Sequence, residues 1–121
     1  MPKRWIGRWI IAVSVLHFAA AFALYPAGLT DALGYAGSGS IPPETLASEA
    51  YWFFFFAPLL SIVGALVDTL EARQEPIGLA IPIALGLTTA AMLVPMPENG
   101  MWLMIIPIIA MLLRARQNPA S

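Results

Sequence analysis

His17 is the chain's one imidazole, and it stands inside an apolar run, SVLHFAAAF, at residues 14–22. An imidazole surrounded by hydrocarbon can make an interhelical hydrogen bond, orient the polar head of a hydrophobic ligand, or coordinate iron. Each use needs different neighbours. As a hydrogen-bonder, His17 would pair with Ser14 on its own face, with Ser61 or Thr89, or with a carbonyl freed by a proline. As a binding residue, it would line a pocket for a lipid, sterol or quinone. As a haem ligand, it would need a second axial group, for which Met92, Met104 or the same histidine of a second copy are the candidates. The hydrogen-bonding use leads, because one histidine with no partner histidine is a weak haem signal.

A second group sets acids beside aromatic rings: Glu49, Tyr51, Trp52, Glu98, Asn99 and Trp102. Such a group can hold a cation, although an aromatic belt with solvated acids accounts for the same residues. His17, Ser61, Trp52, Glu98 and Trp102 are therefore the candidate ligand-binding residues. No catalytic residue and no metal site is expected, since no nucleophile–base pair, metal-ligand spacing or phosphate-binding glycine loop occurs. The balance favours a protein that is not an enzyme and has no cofactor, with haem or quinone as the alternative. The absence of cysteine removes disulfides, thiolate metal sites and thiol–quinone exchange.

The elements that must position these residues follow from composition. Of 121 residues, 60% are hydrophobic and 11% charged, against about 45–50% and about 25% in soluble domains. So small a chain cannot bury that much apolar surface alone, so a lipid bilayer is the expected partner. The net charge of −1 without a basic block argues against nucleic acid. Four apolar segments predict an all-α fold, a four-helix transmembrane bundle in a single domain over 1–121. The helices are expected at about 5–25, 50–68, 77–94 and 98–115, with an extended outer connection over 26–49 that contains the flexible GSGS. Pro43 and Glu44 read as a helix start that runs on into the second segment.

Lys3, Arg4, Arg8, Arg73, Arg114 and Arg116 all fall on one side if both termini are cytoplasmic, as the positive-inside rule requires. Trp5 and Trp9 then mark the inner boundary, and Tyr25, Tyr51, Trp52 and Trp102 the outer one. The start MPKRWIGR, an apolar run and AAAFA also fit a cleaved signal peptide. Flanking tryptophans and a run longer than the usual h-region of about 7–15 residues favour a retained helix.

Apolar attraction cannot drive helix association in lipid, so small residues are read as packing devices. Ala57, Ser61 and Ala65 form a stripe on the second segment, with Gly64 beside it and Asp68 at its end. Gly78, Pro82, Gly86 and Ala90 form one on the third. The two stripes are expected to face one another, and a homo-oligomer is also compatible with them. Pro58, Pro82 and Pro107 are expected to interrupt the second, third and fourth helices, each freeing a carbonyl one turn earlier. Counting from the outer boundary, His17 lies about 12 Å deep, level with Pro58, Ser61, Gly86 and Pro107. Asp68 closes the second helix, and DTLEARQE reads as a solvated turn. Small multidrug exporters of similar length carry an essential glutamate in their first helix. This chain has only His17 there, so transport stays an alternative and is not carried over.

Taken together, GRW at Gly7–Trp9, His17, WF at Trp52–Phe53, Asp68, GMW at Gly100–Trp102 and Pro107 resemble a family of small bacterial membrane proteins catalogued as a domain of unknown function. The resemblance covers essentially the whole chain. It implies four helices and multi-pass residence in a bacterial cytoplasmic (inner) membrane, and it brings no activity. An accessory or structural membrane protein that holds a hydrophobic small molecule is the leading expectation.

Overall fold

The computed structural model describes residues 3–117. Among them every regular element is helical: α1 (Ile6–Leu24), α2 (Pro26–Ala36), α3 (Leu46–Ala72), α4 (Ala80–Leu93), a 3₁₀ turn (Gly100–Met104) and α5 (Ile105–Gln117). The fold is all-α, with five α-helices among the described residues where four were expected. Three stretches are long and apolar enough to cross a membrane: Ile6–Leu24, Leu46–Ala72 and Gly100–Gln117. At 14 residues, α4 is about 21 Å long, short of a hydrocarbon core of about 30 Å.

The additional helix is α2, inside the connection expected to be extended. Tyr25 precedes a proline and cannot stay α-helical; at φ −127° and ψ 43° it breaks the chain away from α1. Pro26 then starts α2 at a position where its missing N–H costs nothing. Gly28 and Ala32 form the buried side of α2. A Cβ at Gly28 would lie 2.8 Å from both the Ala50 Cβ and the Leu46 carbonyl oxygen, so only glycine permits this approach to α3.

α3 starts at Leu46, later than the Pro43–Glu44 start expected, because Glu44 has φ 60° and cannot belong to a right-handed helix. Thr45 caps it instead, accepting the Ser48 N–H at 3.2 Å while its hydroxyl donates to the Pro42 carbonyl at 2.8 Å. The helix continues one turn beyond Asp68. It closes with Gln74 at φ 56°, the Glu75 N–H on the Leu70 carbonyl and the Gln74 N–H on that of Glu71. That is a Schellman ending, and Pro76 follows it.

Among the described residues only Pro58 stands in the interior of a helix, past its first turn. Pro82 is the third residue of α4, where the backbone N–H has no intrahelical partner to lose, and Pro107 stands just after the 3₁₀ turn passes into α5. The expectation of three interrupted helices is corrected to one.

The chain forms two compact units, Met1–Val13 with Ile62–Ser121, and Ser14–Ser61. In the first, Ile6, Ile10, Val67, Met104 and Met111 are the large, fully buried side chains, and α4 packs on the 3₁₀ turn and α5. In the second, the buried side chains are small, mainly Ala21, Ala32, Ala47, Ala50 and Ala57. Much of the outer surface is apolar, with Leu16, Phe22, Leu59, Leu66, Leu87 and Leu113 all more than half exposed.

Candidate functional site

In the Ser14–Ser61 unit, α1 and α3 meet through polar groups that end on backbone carbonyls. The Ser14 hydroxyl donates to the Ala57 carbonyl at 3.0 Å. His17 Nε2 lies 2.9 Å from the Phe53 carbonyl oxygen. A carbonyl can only accept, so Nε2 carries the proton and Nδ1 is the nitrogen left over. The ring stacks on Phe53 with centroids 4.0 Å apart and meets Phe56 edge-on at 5.1 Å. Pro58 withholds an N–H from the Phe54 carbonyl; the carbonyl that His17 takes is the neighbouring one. Haem ligation through Nε2 would require His17 to give up this bond.

Of the other expected ligand-binding residues, Ser61 is half-buried in the same unit and is not the partner of His17. Trp52 is 71% exposed, stands edge-on to Tyr51 and lines an open depression of about 440 Å³ with Ile41, Ser48 and Tyr51. Glu98 and Trp102 belong to the other unit. There the Trp102 indole donates to the Pro97 carbonyl at 2.6 Å, and Glu98 is exposed. Asn99 caps the 3₁₀ turn by accepting the Met101 N–H, and its amide donates to the Met92 and Met96 carbonyls. These residues tie the turn after α4.

The most densely bonded side chain of the Met1–Val13/Ile62–Ser121 unit is one that sequence reading assigned to a solvated turn. Glu71 has a side chain only 1% exposed. Its Oε1 accepts the Trp5 and Ile6 N–H groups, both at 3.2 Å, and Oε2 accepts the Gly7 N–H at 2.9 Å. Those are the unpaired donors at the start of α1, satisfied here from another helix. Arg114 Nη1 completes the set on Oε1 at 2.5 Å, and its Nη2 donates to the Lys3 carbonyl at 2.5 Å. One turn earlier, Asp68 takes two bonds from Arg4, at 2.8 and 2.5 Å, and an ion pair from Arg8 at 3.6 Å. The hydrogen bond to Asp68 raises the Arg4 guanidinium above its already high ordinary pKa. With four donors on its two oxygens, Glu71 works as a structural clasp; proton transfer would break that set. The one sequence signal was spacing: Asp68 and Glu71 are three apart and so share a helix face.

No group of three or more potential metal ligands occurs among the described residues. A family model matches residues 1–118. The chain belongs to DUF6463, a family of unknown function. No curated protein and no solved structure matches it. DUF6463 membership covers both the His17 bond and the Glu71 clasp and assigns a role to neither.

In this DUF6463 protein the close helix contact runs through other small residues than the two stripes. A Cβ on Gly7 would overlap the backbone of Asp68, and one on Gly64 would lie 2.9 Å from the Ile11 nitrogen and 3.0 Å from the Gly7 carbonyl oxygen. Of the stripe residues, Ala57 and Pro82 are buried, Ser61 and Gly86 are half-buried and Ala65 is exposed. A Cβ on Gly78 would meet nothing within 4 Å, and one on Gly86 only Ile108 at 3.7 Å. A glycine-mediated approach of α1 and α3 was not anticipated.

Proposed function

We propose that this protein is a multi-pass component of a bacterial cytoplasmic membrane, with both termini cytoplasmic, and that it acts as a non-enzymatic accessory or structural protein. α4 joins the three long helices in a four-helix membrane bundle. One observation carries the non-enzymatic reading. Ser14 and His17, the polar side chains within the apolar run of α1 that follows Trp9, are spent on backbone carbonyls of α3 and do not converge with a second reactive group. In lipid such bonds average about 0.6 kcal/mol, so their natural role is to set the register of two helices.

The test is the purified protein in mild detergent, examined by visible absorption and native mass spectrometry. The expected sample is colourless, with a mass of the chain plus phospholipid alone. His17→Phe should keep the ring contacts and lower stability by about 0.6 kcal/mol. A Soret band, or a stoichiometric quinone, that disappears in His17→Ala would overturn the reading.

A further inference from the structure

The charged end of α1 carries more positive charge than its partners neutralise. Asp68 is a single carboxylate serving two guanidiniums one helical turn apart. Arg4 uses Nε and Nη2 on it, whereas Arg8 reaches it through Nε alone, at 3.6 Å, and is 64% exposed. Glu71 cannot supply the missing negative charge, because it is buried and already faces Arg114. Lys3 beside them is exposed. The start of α1 is also closed as an anion site, since Glu71 holds its N–H groups. What remains is the outer edge of the Arg8 guanidinium, two Nη groups in a fork that matches two oxygens of a phosphate. Its Nε pairs with Asp68 across 3.6 Å. Trp5 and Trp9 stand edge to face, 6.3 Å apart, within the same turn, and the Trp9 indole is fixed by donating to the Leu103 carbonyl at 2.9 Å. Two indoles at the start of the same helix as a cationic fork are what a membrane interface accommodates, with rings at headgroup depth and guanidinium against phosphate.

We infer that the Lys3–Arg4–Arg8 face binds the phosphate of an anionic phospholipid, with Arg8 as the bidentate contact and Asp68 as the residue that positions it. The inference rests on the membrane reading above. An anionic lipid answers the surplus charge, whereas a zwitterionic one brings its own cation to a face that already has three.

The experiment presents the full chain with phosphatidylglycerol and phosphatidylcholine in equimolar mixture. Retained lipid is read by native mass spectrometry, and association with vesicles of the same two lipids by flotation. The wild type should retain phosphatidylglycerol preferentially. Arg8→Gln should lower that retention roughly fivefold, the loss expected for one interfacial cation. Arg8→Lys should recover only part of it, since charge returns without the fork. Arg116→Gln, a cation on α5 outside the proposed face, should leave the preference unchanged. A wild type that floats with vesicles but shows no preference would overturn the lipid site and leave the membrane reading standing; one that does not float would overturn both. Displacement of phosphatidylglycerol by inorganic phosphate would reassign the face to a soluble anion and overturn the lipid assignment.

Discussion

Glu71 and His17 are each bonded across α1 and α3, and they show how differently the two units are held. Around Glu71, three backbone N–H groups and a guanidinium converge on one buried carboxylate, with Asp68 bridging two more arginines nearby. Around His17 there is one neutral hydrogen bond to a carbonyl and ring contacts to Phe53 and Phe56, and a separate set of ring contacts joins Phe18, Phe22 and Phe54. All six lysines and arginines belong to the first unit; the second carries Asp31, Glu44 and Glu49 and no lysine or arginine. A buried charge needs every partner, because removing one exposes the full desolvation cost of the other. Ring contacts and single neutral bonds are worth fractions of a kcal/mol to about 1.5 kcal/mol each, so losing one leaves the rest in place. The first unit should therefore fail sharply when one residue is changed, and the second gradually.

The charge contrast has an all-or-none consequence. A reporter fused at the C-terminus should be active in the cytoplasm, and one inserted in the segment 37–45 should be silent there. The opposite pattern would break the link between the basic unit and the cytoplasmic side.

Next in size is Arg114→Ala, which strands the Glu71 carboxylate and should cost about 3–5 kcal/mol in thermal or denaturant unfolding in detergent. Glu71→Leu with Arg114→Leu removes both charges and loses mainly the cap on α1. It should cost only about 0.5–2 kcal/mol, less than the single change. An Arg114→Ala protein within about 0.5 kcal/mol of wild type would show that the clasp does not hold this unit together.

The three long helices were legible because uninterrupted apolar runs leave little else for the backbone to do. The basic residues were legible as a group because they cluster around those runs. α2 was missed because Pro26, Gly28, Gly34 and Gly37 punctuate 26–37 as a loop would, while its helical character depends on Gly28 fitting against Ala50. α4 was expected to start near residue 77, yet the first residues after Pro76 stay outside the helix, and Ile81 N–H reaches only the Gly78 carbonyl. Glu71 was read as solvated because its partners lie 43 to 66 residues away, beyond any local pattern. For His17, a carbonyl freed by a proline was an open alternative; the one Pro58 frees is that of Phe54, and His17 takes its neighbour. That it is Phe53, and neither Ser61 nor Thr89, depends on the register of α1 against α3, which no local pattern of residues encodes.

Those glycines give the smallest prediction and the one that most directly tests how α1 is held. Gly7→Ala places a methyl on the Asp68 backbone, and Gly64→Ala places one 2.9 Å from the Ile11 nitrogen. Neither neighbour is the end of a flexible side chain, so α1 and α3 must separate, at about 1–3 kcal/mol for each change. The two alanines act on one interface, so the double variant should cost less than the sum of the single ones. Gly7→Ala also shifts Asp68 away from Arg4 and Arg8, and its cost should fall as salt screens that cluster, whereas the cost of Gly64→Ala should not. Gly86→Ala is the control. Its Cβ would sit at an ordinary 3.7 Å from Ile108, and alanine is the better helix former by about 0.8–1.0 kcal/mol, so the variant should be neutral or more stable. If Gly86→Ala proved as damaging as Gly64→Ala, α4 would have to be held through its small-residue face by a second close helix contact. The α1–α3 approach through Gly7 and Gly64 would then be one of two such contacts.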